Sequence, residues 1–209
     1  MRTSSRLLII IALSTITFSC KKNSKPILKL NGSSNYTISL NSIYIEPGAT
    51  ADDGEGNDIS SEIIITGTVN TNLKGEYPLY YKIGNDFGSE NSKVIRNVNV
   101  VNDADYLEGF YLATPNCGAT SLTGYTTNLT SSETENNKIL IDVVETGTPI
   151  NIPGFINNNT IFLSNQGTIY NFQYTGSGTI TSSGFILNSV YTNHPTYGYL
   201  DCQTVYTKQ

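Results

Sequence analysis

The 209-residue sequence predicts an all-β protein built as two successive domains, a sandwich followed by a small antiparallel β-meander or barrel. Three observations carry this. Only 14% of the residues are charged, Asn, Thr, Ser and Gly abound, and 14 Tyr stand beside 7 Phe and no Trp, which is the composition of strands and turns. Short apolar runs alternate with polar residues and are separated by turn formers at regular spacing. That alternation stops at Asn102-Asp103-Ala104-Asp105 and restarts at Tyr106, which divides the chain into two segments each long enough for a compact core.

Residues 1–19 read as a secretory leader. Arg2 and Arg6 precede the run Leu7-Leu8-Ile9-Ile10-Ile11-Ala12-Leu13, which fades through Ser14, Thr15 and Thr17 before Ser19-Cys20. The run is too short, and its second half too polar, for a permanent span of a ~30 Å hydrocarbon core. Thr17-Phe18-Ser19-Cys20 resembles the lipobox of bacterial lipoproteins of the Bacteroidota type, with Thr17 where Leu is usual. The resemblance implies cleavage before Cys20, diacylation at its sulfur, and membrane attachment through lipid rather than through protein. Lys21 is not the Asp of an inner-membrane retention signal, so the expected location is the outer membrane, with the leaflet left open. Residues 20–25 then form a lipidated tether.

Residues 26–102 carry strand-like runs at 27–30, 36–40, 43–45, 63–66, 77–83 and 94–100, with a turn at Asn31-Gly32-Ser33-Ser34. Tyr77, Leu79 and Tyr81 share one face of their run, and Pro78 on the other face demands a place where no ladder N–H is needed. The order of turn and core residues resembles an Ig-like module found in Bacteroidota lipoproteins, in Gram-positive surface proteins and in some insecticidal crystal proteins. The matching residues are Pro26, Leu30-Asn31-Gly32, Tyr44, Glu46-Pro47-Gly48-Ala49, Ala51, Asp53-Gly54, Asp58-Ile59, Gly67, Val69, Gly75, Tyr77, Tyr80-Tyr81, Asp86, Gly88, Arg96, Val98 and Val100. The resemblance implies an Ig-like β-sandwich that serves as spacer or binding module rather than as an enzyme.

Residues 103–209 alternate through 106–111, 138–144, 160–163, 169–174, 179–181, 185–191 and 202–206, with Asn- and Gly-rich turns between. About seven antiparallel strands must close or stack to remove their edges, and a small barrel suits that number. The opening 106–111 and the turn Gly176-Ser177-Gly178 loosely resemble the lipocalin-like β-domains of other such lipoproteins; no binding residue is carried over from them. Cys117 follows the first run and Cys202 opens the last. In a closed meander these are neighbours, so the pair is expected to form a disulfide; the alternative is two separate buried thiols.

Candidate sites are few. Asp52-Asp53-Gly54-Glu55-Gly56-Asn57-Asp58 reads first as an acidic solvated turn, with a Ca²⁺ loop through Asp52, Asp53 and Asp58 as the alternative. His194 is the only histidine and cannot build a multi-histidine metal site. It stands among Tyr191, Tyr197 and Tyr199, which either finish the barrel wall or present aromatic faces to a sugar or a protein partner. No nucleophile elbow, zincin helix or papain-type pattern is present, so no enzyme and no cofactor is expected. Removing Arg2 and Arg6 with the leader leaves ten basic side chains against 17 acidic, a net of −7 that argues against nucleic acid. The reading is a non-enzymatic outer-membrane lipoprotein whose Ig-like stalk presents a C-terminal β-domain to a partner. Glycan capture for nutrient uptake and a purely structural envelope role are the alternatives.

Overall fold

The computed structural model describes residues 25–84, 93–145, 148–169, 172–194 and 196–209. Leader residues 1–19, Cys20, and Asp86 and Gly88 of the Ig-like match lie outside the described residues. Fourteen strands are seen among those described. Strands β1 (Ile27–Leu30) and β3 (Ala49–Asp52) pair antiparallel as one sheet, and β2 (Asn35–Ser39), β6 (Lys93–Val101), β5 (Gly75–Ile83) and β4 (Ile63–Thr66) form a second in the order β2-β6-β5-β4. Between them lie Leu28, Ala51, Leu79, Tyr81, Ile83 and Val98, all buried. The alternation expected for 77–83 holds, since Leu79, Tyr81 and Ile83 face the core while Tyr80 and Lys82 face water. Pro78 sits beyond Tyr80, where β4 has already ended, so the missing N–H breaks no β4 bond.

Two expectations in this sandwich need correction. The run 43–45 forms no strand: Tyr44 turns inward while Ile43 and Ile45 are 88% and 81% exposed, because the chain is crossing between the two sheets and pairs with neither. In its place β3 is built from Ala-Thr-Ala-Asp, a run in which Thr50 alone carries the β-branched or aromatic signal that marks strands. Only Ala51 of the four is buried, and pairing with β1 rather than local propensity makes it a strand.

Residues Gly109 to Lys208 close into an eight-stranded antiparallel barrel: β7 (Gly109–Asn116), β8 (Tyr125–Ser131), β9 (Lys138–Glu145), β10 (Thr148–Asn157), β11 (Thr160–Ile169), β12 (Phe172–Thr181), β13 (Gly184–His194) and β14 (Gly198–Lys208). Each strand pairs with the next, and β14 returns to β7 from Gln203↔Asn116 to Lys208↔Tyr111. The interior is apolar, with Tyr111, Leu129, Ile139, Ile161, Phe185, Leu187 and Tyr206 all essentially inaccessible. Phe185 stacks on Tyr206 at 4.2 Å between centroids. Each such side chain contributes about 1.5–3 kcal/mol by burial. An apolar interior is the reverse of a membrane-spanning barrel, whose lumen is polar and whose apolar band faces outward. Among the described residues no helix is long and apolar enough to cross a membrane.

Here too the structure departs from expectation. The runs 169–174 and 179–181 largely belong to one strand, β12, so Gly176-Ser177-Gly178 is not a turn. Its glycines are there for space: a Cβ on Gly176 would lie 2.5 Å from the Asn188 carbonyl oxygen, and one on Gly178 would press on that of Ile186. The barrel opens at Gly109 rather than at Tyr106, which lies in a 3-10 turn (Asp105–Leu107). Strands β8 and β10 were not read from the sequence, because Tyr-Thr-Thr-Asn-Leu-Thr-Ser and the Pro- and Gly-containing 148–157 show little apolar alternation.

The segment read as a hinge is packed. Asn102 is 1% exposed, and its amide N–H groups are shared among the carbonyls of Ser132 (2.9 Å), Glu135 (2.9 Å) and Lys138 (3.2 Å). Its side-chain oxygen accepts from the N–H of Ala104 (3.0 Å) and of Asn137 (2.9 Å). The β8–β9 hairpin loop thus folds around the last side chain of the sandwich connection, and Ala104 and Leu107 enter the barrel core directly after it. A barrel fragment of residues 101–209 should therefore be more stable than one of 103–209 by about 1–3 kcal/mol, the usual cost of unpairing buried polar groups. Urea melts check this, and equal midpoints would remove Asn102 from the barrel.

Candidate functional site

Three polar constellations stand out, and the first is in the sandwich. Arg96 occupies an inward position of β6 between Val94 and Val98 and is fully buried. Such a group is tolerated only when its charge is matched and its donors are bonded. Its guanidinium pairs with the Glu46 carboxylate and donates to the carbonyls of Asn31 (2.6 Å) and Gly48 (3.2 Å). The rings of Tyr36 and Tyr81 lie 5.3 and 5.6 Å from it. Glu46 also accepts from the Tyr44 hydroxyl (2.6 Å) and from the Gly48 N–H (2.7 Å). Burial alone would raise the Glu46 carboxyl, but Tyr44, Tyr81, the Gly48 N–H and Arg96 outweigh it and hold it below the usual range. Burial, and then Glu46 itself, push Tyr44 up to about 12.

The second constellation joins sandwich to barrel. Lys74 donates to Asp105 (2.7 Å), Glu108 (3.0 Å) and Ser131 (2.9 Å), and its backbone N–H donates to the Glu133 carbonyl (2.8 Å). Burial would lower the Lys74 ammonium, yet Asp105 and Glu108 raise it overall. Asn41 donates to the Thr134 carbonyl (3.1 Å) and accepts from the Asn136 N–H (2.9 Å), while Ser39 donates to Asp103 (2.7 Å). Every partner on the barrel side of these bonds comes from residues 103–136.

The third is a hydroxyl cluster inside the barrel. Tyr125 and Tyr206 hydroxyls are 3.4 Å apart, and Tyr174 meets Tyr191 edge-on at 4.4 Å between centroids. Burial pushes Tyr174 up to about 12 and raises Tyr191 and Tyr206 well above their ordinary value. These phenols stay neutral, with no charged side chain among the causes of their shifts.

The candidates singled out in the sequence are dispersed. Tyr191 points into the barrel, whereas Tyr197 and Tyr199 are 46% and 62% exposed. Tyr191 pairs with Leu200 across β13 and β14, so Tyr199, one residue earlier, must face the other side of the wall. A joint platform of Tyr191, Tyr197 and Tyr199 is not formed. His194 ends β13 opposite Gly198, and its side chain lies outside the described residues. The acidic turn is bonded to itself: Asp52 accepts from the Gly54 N–H (2.7 Å), Asp53 from those of Glu55 (2.8 Å) and Asn57 (3.0 Å), and Asp58 from that of Ser60 (2.8 Å). Among the described residues no three His, Cys, Asp or Glu side chains are grouped to hold a metal ion. Cys117 and Cys202 do form a disulfide, across a separation of 85 residues with Cα atoms 4.1 Å apart, one residue beyond the Gln203↔Asn116 pair where the barrel closes.

Sequence reasoning missed the roles of Arg96, Lys74 and Asn102. Arg96 had a visible signal, a cation on the apolar side of an alternating strand. Lys74 and Asn102 had none, since apart from Ala104 beside Asn102 their side-chain partners lie 30 or more residues away.

Residues 28–100 match the family model described as bacterial surface protein, Ig-like domain. The N-terminal segment is therefore Ig-like in fold. Among solved structures, the crystal structure of the lipoprotein BT2262 from Bacteroides thetaiotaomicron is similar at 19% identity, covering 88% of this chain and 100% of that one with a TM-score of 0.36. No curated protein matches the chain.

The Arg96 centre makes a stability prediction. Glu46→Gln leaves a fully buried cation unmatched and should cost about 3–5 kcal/mol at pH 7, whereas the double change Glu46→Met with Arg96→Met should cost less. Because the folded carboxyl sits below its unfolded value, its stabilisation is present above about pH 4.3 and is lost as pH falls through the folded value. Denaturant melts from pH 7 to pH 3 should show a shallower acid limb for Glu46→Gln than for wild type. Parallel limbs would mean that Glu46 is not the titrating group.

Proposed function

We propose that the chain is a non-enzymatic lipoprotein of the outer membrane, in which the Ig-like domain acts as a stalk and the barrel is the element offered to a partner. The observation that carries this reading is the junction. The Ig-like domain meets the barrel through Lys74, Asn41, Ser39 and the buried Asn102, an arrangement suited to holding a second domain in one orientation. The match of residues 28–100 to a surface-protein Ig-like domain supports an envelope location. Lipid attachment at Cys20 supplies the membrane link, and two or more acyl chains on that residue make it stable, as a single chain does not.

Among the described residues the barrel interior holds an apolar cluster and uncharged tyrosine hydroxyls, a packed core of the kind that suits a presented element. The disulfide at the seam fastens the two ends of the meander and fits a location outside the cytoplasm, where such bonds persist; closing so long a loop contributes about 4–5 kcal/mol by the chain-entropy model. The expected partner surface is the outer wall and the β13–β14 end, where Tyr197 and Tyr199 stand exposed.

Growth with labelled palmitate tests the anchor. Wild type should incorporate label and sediment with outer membranes, and Cys20→Ala should lose both properties. Label retained by Cys20→Ala would contradict the reading.

A further inference from the structure

The outer face of the four-stranded sheet carries a patch that neither the sandwich core nor the junction uses. Strand register lays it out as a small grid. Ile64, Lys82 and Lys93 stand side by side across β4, β5 and β6, and Thr66, Tyr80 and Ile95 form the next row. Alternation turns all six outward, because Tyr81 and Ile83 between them are in the core. Tyr80, Ile95 and Ile64 are 50%, 48% and 42% exposed, and the patch borders a groove of about 410 Å³.

Two features of this grid are costly for the free protein. Lys82 and Lys93 are directly opposed, and like charges so placed destabilise a strand pair. Neither has an ion-pair partner among the described residues. Beside them three large apolar side chains remain in water. Both costs fall when an anion sits between the two ammonium groups while an apolar ring face covers Tyr80 and Ile95.

We propose that this face binds an acidic glycan, a polymer whose sugar rings carry carboxylate or sulfate groups. The two rows are two residues apart along the strands, roughly 7 Å, which is the scale of one sugar ring with its attached acidic group. The apolar face of the ring lies on Tyr80, whose hydroxyl is free to bond ring substituents, and the acidic group lies between Lys82 and Lys93. An acidic peptide fits less well: a peptide adding as a strand pairs along a backbone edge, here that of β4 or of Lys93–Ile95, and would not lie across the outward side chains of β5 and β6 together. An anionic bilayer fits less well again, since polybasic membrane segments use clusters of four to eight cations and this face has two. The site is on the Ig-like domain and is independent of the barrel's role.

The test uses the mature, unacylated chain carrying Cys20→Ala. Electrophoresis through gels containing polygalacturonate, heparin or neutral dextran reports binding, with phosphatidylglycerol vesicles and polyglutamate as competitors. The expected result is retardation by polygalacturonate or heparin but not by dextran, weakened by salt. Lys82→Gln with Lys93→Gln should weaken it at least tenfold, and Tyr80→Ser several-fold. Melting temperature serves as the control for folding, and removing the opposed charges should leave it unchanged or raise it. Absence of retardation by both acidic polymers, retardation that survives the lysine changes, stronger competition by vesicles or polyglutamate than by free acidic polymer, or a lowered melting temperature in the lysine variant would each overturn the proposal.

Discussion

The side-chain amide of Asn102 is the constraint through which the two halves of this molecule are made one. It ends the connection from β6, is almost wholly buried, and has every polar atom bonded to the 132–138 loop or to Ala104. A buried amide so placed is costly to disturb, since its removal would take a donor from three carbonyls and the acceptor from two N–H groups at once. The loop it orders then reaches back to the sandwich through Asn41 and Lys74. Around this amide the weaker surface contacts of the junction, each worth little alone, act as a set.

Each half also has its own organising element. In the sandwich a single buried cation ties together the turn at Asn31, the Pro47-Gly48 corner and strand β6, and the carboxylate that neutralises it comes from the segment crossing between the sheets. Desolvation makes that ion pair a poor source of net stability, so its effect is to fix which conformation the crossing adopts. In the barrel the organising element is closure. The β14 to β7 pairing removes both sheet edges, packs Tyr111, Phe185 and Tyr206 against one another, and brings Cys117 to Cys202.

The all-β class, the Ig-like segment and the antiparallel C-terminal meander were legible because strand alternation and turn residues are local signals. Strands β3, β8 and β10 were not, since Ala51, Thr127 and Gly154 take their places through pairing partners rather than propensity. The Gly176-Ser177-Gly178 run misleads for a related reason: in this barrel its glycines admit the neighbouring strand instead of reversing the chain. The tyrosines near His194 read as one cluster along the chain, but period-two alternation sends Tyr191 inside and Tyr199 outside. The pairing of Cys117 with Cys202 was recoverable because it follows from closure, whereas the Lys74 and Asn102 contacts depend on how two folded surfaces meet.

The functional account rests on the Ig-like domain holding the barrel in one orientation. Spin labels at exposed Thr126 on the barrel and Thr37 on the sandwich allow the distance between them to be measured by pulsed dipolar spectroscopy in the full chain. A single narrow distribution is predicted for wild type, broadening when Asn102→Ala and Lys74→Ala are introduced together. A broad distribution in wild type, unchanged by those substitutions, would contradict it.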